Sequence, residues 1–233
     1  MILGILEAGG PPEQLAGQYT GYGNMVRRML GPAFRARTYD VRAGELPTRV
    51  DECDAWLITG SAAGVYDPEP WIAPLQSFLQ EASGHGPMVG ICFGHQLMAQ
   101  AFGGEVIKSG KGGGVGLHRY EIARTAPWMD GPLPVHLPVS HQDQVVAIGQ
   151  GCEVLGGSVF TPFGLLAYPD RNAISMQPHP EFEPDYAKAL IESRRGAVFD
   201  ETTADAAVAS LSEANDRDRV AIWLRRFLGG RQQ

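Results

Sequence analysis

Cysteine is scarce in this chain: Cys53, Cys92 and Cys152 are the three among 233 residues. An odd, sparse set does not make a disulfide framework, and it points to a reducing compartment, so a cytoplasmic location is expected. No apolar run approaches the ~18 residues that a membrane-spanning helix needs, so no membrane partner is expected. The opening Met1–Glu7 has no basic stretch and reads as a first strand, not as a signal peptide. Positive charge is short too. Lys and Arg number 19 against 26 Asp and Glu, a net charge of −7. That field repels phosphate backbones, so nucleic acid is not expected as a partner. No paired C-x₂-C or His/Cys cluster is present, so no metal is expected. Gly110-Lys111-Gly112-Gly113-Gly114 lacks the leading Gly and the trailing Ser or Thr of a nucleotide-binding loop. It reads as a flexible or rim-forming loop.

What is there is an ordinary globular mixture, 44% apolar and 19% charged. It supports a real core, and the length suits one domain over 1–233. Short apolar runs alternate with helical patterns in the first hundred residues. Met1–Leu6, Ala33–Val41, Ala55–Ile58 and Pro87–Ile91 read as strands. Gln14–Leu30, Trp71–Ala82 and Gln96–Phe102 read as helices. This alternation is the pattern of a parallel sheet with crossover helices, an α/β fold. From Glu105 to Ala173 the pieces are short and β-like: Glu105–Ile107, Leu117–Ile122, Gln144–Ala147, Glu153–Leu155 and Leu165–Ala167. They predict an antiparallel excursion. Ala173–Met176 reads as one more strand. Tyr186–Arg195 and Ala204–Leu228 read as helices, the last with an apolar stripe that docks on the body of the domain.

Gly90-Ile91-Cys92-Phe93-Gly94 stands where a buried strand ends and a helix begins, which is the context of a nucleophile elbow. Small flanking residues allow the tight turn and the close approach of a substrate. The thiol then sits before a helix N-terminus, whose partial positive charge favours the thiolate. A nucleophilic Cys needs a base and a group to orient that base. His179 follows the strand Ala173–Met176. Parallel strands bring their carboxyl ends to one rim, so His179 can meet Cys92. Glu181, two residues on, projects to the same side in extended chain and can fix the imidazole. Pro178 and Pro180 stiffen both flanks. Donors for a developing oxyanion are the backbone N–H of Phe93 and the loop Thr59–Gly64, which leaves the strand Ala55–Ile58. The other histidines carry less: His85 reads as solvated, His95 as locally bonded, and His118 and His136 lack metal-like spacing. His141 is open between loop structure and site lining. Cys53 and Cys152 read as inert.

Gly90-Ile91-Cys92-Phe93-Gly94-His95-Gln96 together with Gln177-Pro178-His179-Pro180-Glu181 resembles the class I, triad-type glutamine amidotransferases. In length the chain resembles their stand-alone members. Thr59-Gly60-Ser61 sits where that family has its oxyanion loop, and Ser140-His141-Gln142-Asp143 resembles its substrate-contacting segment. The resemblance runs from Met1 to about Tyr186, leaving 187–233 as a helical extension. It implies a flavodoxin-like three-layer sandwich and a catalytic triad of Cys92, His179 and Glu181. It further implies an oxyanion hole at Gly60, Ser61 and Phe93, with substrate held by Gln96, Ser140, His141 and Gln142. The reaction it implies is release of ammonia from glutamine through a γ-glutamyl thioester, with no organic cofactor and with a synthase as a possible partner. Alternatives remain: a γ-glutamyl peptidase, a silent binding module of the same fold, or another elbow-bearing cysteine hydrolase.

Overall fold

The structure, a computed structural model, describes residues 1–230. In chain order its elements are β1 (Ile2–Glu7), α1 (Tyr22–Leu30), β2 (Arg35–Asp40), β3 (Ala55–Ile58), α2 (Ile72–Ala82), β4 (Met88–Ile91) and α3 (Phe93–Ala101). There follow β5 (Glu105–Lys108), β6 (Gly114–Ile122), β7 (Val135–His141), β8 (Asp143–Ala147), β9 (Glu153–Gly157), β10 (Leu165–Tyr168) and β11 (Ala173–Met176). Three helices close the described chain: α4 (Pro184–Glu192), α5 (Glu201–Ser210) and α6 (Arg217–Leu228).

The main sheet has the order β2-β1-β3-β4-β11-β10-β9-β6-β7. From β2 to β11 every neighbour is parallel, and from β11 to β7 every neighbour is antiparallel. A two-stranded ribbon, β5 with β8, stands apart. The strands β3, β4 and β11 are buried along their whole length, as strands covered on both faces must be. Alternate side chains enter two cores. Trp56 and Ile58 face α2 and α3, while Ala55 and Leu57 face α1 and α6. Each fully buried Leu or Ile here contributes about 1.5–3 kcal/mol by leaving water. A third cluster joins α1 to α4 and α5 through Tyr22, Met25, Phe182, Tyr186 and Phe199. The result is the expected flavodoxin-like α/β sandwich, with a mixed sheet between helical layers.

Four local expectations need correction. The helix expected over Gln14–Leu30 begins only at Tyr22, after a single 3₁₀ turn at Glu13–Leu15. Gly21 breaks the run, and Glu7 Oε1 accepts from Gly23 N at 2.7 Å to cap the new helix. The segment Ala204–Leu228 is two helices. Ser210 and Ser212 turn their hydroxyls back onto carbonyls three residues earlier, at 2.6 and 2.7 Å, where α5 stops. The strand β7 escaped the reading because Pro138 lies within it. Proline is tolerated there because β7 is the edge of the sheet. Finally, α3 starts at Phe93, directly after Cys92, rather than at Gln96.

Candidate active site

Cys92 is the hinge between β4 and α3. Its backbone sits at φ 52°, ψ −102°, a region that non-glycine residues seldom occupy. The strain is held in place from both sides: Cys92 N donates to Met176 O at 2.9 Å, and Gln96 N donates to Cys92 O at 3.0 Å. The turn also needs bare flanks. A Cβ on Gly90 would stand 2.6 Å from the backbone of Gly94, and one on Gly94 would stand 2.5 Å from Ile58 O. The Phe93 N–H is the first of the helix and precedes any intrahelical acceptor.

Strand β11 lies beside β4 in parallel register, Met176 opposite Ile91. Both chains therefore leave the sheet at the same rim. His179 is three residues beyond β11 and buried, at 2% exposure. Its N–H donates to Pro138 O at 2.8 Å. Its Nδ1 hydrogen-bonds Glu181 Oε1 at 2.8 Å. The two residues are joined by a tight turn, with Phe182 N donating to His179 O at 3.2 Å; the extended geometry expected for this pair is replaced by that turn. Phe182 stacks flat on the imidazole, the ring centroids 3.9 Å apart. Gly60 closes the other side. A Cβ there would stand 2.9 Å from His179 Cε1 and 3.6 Å from Cys92 Cβ, so both side chains flank this one glycine.

Burial by itself disfavours a charged His179. Interaction with Cys92 and Glu181, by charge and by hydrogen bonding, outweighs it and pushes the pKa of His179 up to about 10. His141 goes the other way, pushed down to about 4 by burial.

Cys92 opens into a cavity of about 640 Å³. Ser61, Gln96, Ser140, His141 and Gln142 all line it. Their side chains differ in freedom. Gln96 Nε2 is spent on Asp143 O at 3.0 Å and Gln177 Oε1 at 3.1 Å. His141 has Nδ1 on Asp143 O at 3.0 Å and Nε2 near Thr161 Oγ1 at 3.4 Å, so its ring braces the wall. Ser61 Oγ accepts from Ala63 N at 3.2 Å and shapes its own loop. The sequence reading missed the charged walls. Arg194 lines the cavity and donates to Ser140 Oγ at 2.9 Å. Lys108, Asp67, Asp143 and Tyr66 line it as well, and burial raises the Asp143 carboxyl above its ordinary range. Arg194 lies just past the end of the amphipathic α4, and no local pattern marks it. The loop Gly112-Gly113 forms part of the rim.

The remaining candidates lie elsewhere. His95 is buried against Ser175 Oγ at 2.8 Å. Cys53 and Cys152 are free thiols, as is Cys92. Among the described residues, no group of three or more His, Cys, Asp or Glu is placed to hold a metal ion, and no helix is long and apolar enough to cross a membrane.

The sequence model of the family described as glutamine amidotransferase class-I matches residues 24–194. A glutamine amidotransferase-like protein of Schizosaccharomyces pombe is 29% identical, with 97% of this chain and 98% of the relative aligned. Gamma-glutamyl peptidase 4 of Arabidopsis thaliana is 27% identical over 86% of this chain and 84% of its own length. The crystal structure of a glutamine amidotransferase from Thermotoga maritima superposes with a TM-score of 0.76, covering 98% of both chains at 16% identity. That last likeness bears on the fold alone.

Proposed function

The chain belongs to the glutamine amidotransferase class-I family, and from that premise we propose that it cleaves the side-chain amide of glutamine, or a related γ-glutamyl bond, through a thioester on Cys92. The observation that carries this reading is the meeting of three features at one rim. They are a strained elbow cysteine, a buried His179–Glu181 pair at 2.8 Å and a cavity open to the sulfur.

The steps follow from these groups. The Cys92 thiolate attacks the δ-carbonyl, forming a C–S bond and driving the carbonyl electrons onto oxygen. The amides of Phe93 and of Gly60 or Ser61 receive that oxyanion. The imidazolium of His179 gives its proton to the departing nitrogen, the C–N bond breaks, and ammonia or an amine leaves. Water then gives a proton to the neutral imidazole and adds to the thioester. The sulfur leaves as thiolate, and glutamate is released. Glu181 holds the imidazole in orientation through Nδ1 and offsets its charge. The electrons and protons balance within these residues and water.

The cavity favours a zwitterionic ligand. Arg194 offers its unused N–H groups to a carboxylate, and Asp143 faces an ammonium group. Gln96 presents its amide oxygen, and Ser140, His141 and Gln142 present backbone. A second reading, cleavage of γ-glutamyl peptides, is favoured by size. At about 640 Å³ the cavity has the volume of sites that hold drug-sized ligands, ~300–1,000 Å³, and one glutamine leaves much of it empty. Where ammonia is the product, a synthase is its natural consumer. Three free thiols suit a reducing, cytoplasmic setting. The working unit in this reading is the chain with its C-terminal helices, since α5 and α6 share cores with α1 and α4.

The test is glutamate release from glutamine, γ-glutamyl dipeptides and glutathione, beside Cys92→Ala. Turnover of glutamine alone supports amide cleavage, and turnover of the peptides supports the second reading. No glutamate from any of them, with no alkylation of Cys92 by a glutamine-like electrophile, contradicts both and leaves a binding module.

A further inference from the structure

The family match ends at residue 194, so α5 and α6 lie beyond it, and no reacting group comes from either. Yet the first turn of α6 reaches the loop that carries His179. Arg217 Nε donates to Pro180 O at 2.9 Å, between His179 and Glu181. One residue earlier, Asp216 is tied to β7 in both directions: its N–H donates to His136 O at 2.9 Å, and its Oδ2 accepts from His136 N at 2.7 Å. Two residues along β7, Pro138 O accepts from His179 N at 2.8 Å. These contacts form a closed ring from α6 to β7, to His179, to Pro180 and back to α6.

The turn needs such a hold. The strand β11 stops at Met176, and Pro178 and Pro180 remove two of the N–H donors that follow it. Reacting groups work only within about 0.5 Å and 10–20° of their productive geometry. We propose that Arg217 is a positioning residue, fixing the turn 179–181 so that Glu181 holds the imidazole against the Cys92 sulfur. The proposal rests on the amide-cleaving reading of Cys92 and His179 and gives the C-terminal extension a part in it. Arg217 acts through Pro180 and touches no reacting atom.

Charge makes the opposite prediction from position, which allows a test. His179 is faced by Cys92, Glu181 and His141. Glu181 in turn faces Arg217, Tyr22 and Tyr186. Were Arg217 only a nearby positive charge, its removal would hold the proton on His179 to higher pH. Slackening of the turn weakens the Glu181 contact and releases that proton at lower pH.

The experiment compares the full chain with Arg217→Ala, Arg217→Lys and Arg219→Ala. Arg219 anchors the same helix to Asp130 at 2.9 Å and serves as the folding control. Arg217→Ala is expected to lower kcat about 10- to 100-fold with KM little changed, the scale set by misplacing a catalytic group by about an ångström. The alkaline limb of its rate profile moves to lower pH. Arg217→Lys, which keeps a donor and is the milder change should the alanine variant not fold, recovers most of the rate. Arg219→Ala lowers the thermal midpoint and leaves kcat in place. Titration of ¹³C-labelled histidine by NMR follows the His179 proton without any turnover. It therefore judges this proposal even if no γ-glutamyl substrate is cleaved and the reading it rests on fails. An Arg217→Ala chain with kcat and His179 titration unchanged, or with that titration moved to higher pH, overturns it.

Discussion

On one side of β11 every strand runs parallel, is short, and ends at the rim where Cys92 and Gly60 stand. On the other side every strand is antiparallel, and the contribution to the site is of another kind: the Pro138 carbonyl, the His141 brace, the Ser140–Arg194 wall and the α6 contact. The parallel half brings the proposed reacting groups together because strands of like direction deliver their carboxyl ends to one place. The antiparallel half cannot do that, and it builds walls and supports instead. β11 is the seam, and His179, just past it, takes its charge partners from Cys92 and Glu181 and its backbone hold from β7.

The largest effect is expected at the parallel rim. Cys92→Ala abolishes glutamate release, and His179→Gln lowers kcat by about 10³-fold or more, the usual cost of deleting a member of such a unit. The Cys92→Ala chain keeps its unfolding midpoint nearly unchanged, whereas His179→Gln leaves buried Glu181 without its charge partner and lowers it. Gly60→Ala comes next, since its Cβ would stand 2.9 Å from His179 Cε1. Displacing the ring lowers kcat by about 10²-fold, read in steady-state assays. In the antiparallel half, Leu155→Ala on β9, buried at 2% exposure, costs about 2–5 kcal/mol of stability. Urea titration measures it, and kcat per folded molecule stays the same. A large fall in that kcat would erase the division between halves. Arg194→Ala removes one charge-assisted contact, worth about 1.5–3 kcal/mol, and raises KM at least about tenfold while kcat changes little. Last, pH sharpens the seam. His179 has its pKa raised to about 10, so the imidazolium proposed to protonate the leaving group persists through neutral pH. The rate falls only as pH rises through about 10. A loss near the ordinary histidine range, about 6.5, would show that the coupling to Cys92 and Glu181 is absent.

The same two halves explain what the sequence alone disclosed. Ala55–Ile58 is legible because a strand buried on both faces is an uninterrupted apolar word with a polar break after it, and Ala173–Met176 nearly so, its one polar residue, Ser175, being buried against His95. The elbow is legible because its glycines are demanded by contacts with Met98, Gly94 and Ile58. β7 was illegible because its proline is tolerated only at an edge, and a strand's place in the sheet order is not written in its own residues. Arg194 and Arg217 were illegible for a related reason. An exposed arginine and a half-buried one look alike in sequence, and what each touches depends on contacts 54 and 37 residues away along the chain.

Cys92, and neither of the other two thiols, is the proposed nucleophile for a γ-glutamyl carbonyl. The direct measurement is peptide mapping by mass spectrometry after reaction with a diazoketone analogue of glutamine, with and without excess glutamine. A single label is expected on Cys92, suppressed by glutamine and greatly slowed in His179→Gln. Label on Cys53 or Cys152, or label on Cys92 at the same rate whatever occupies position 179, would contradict it.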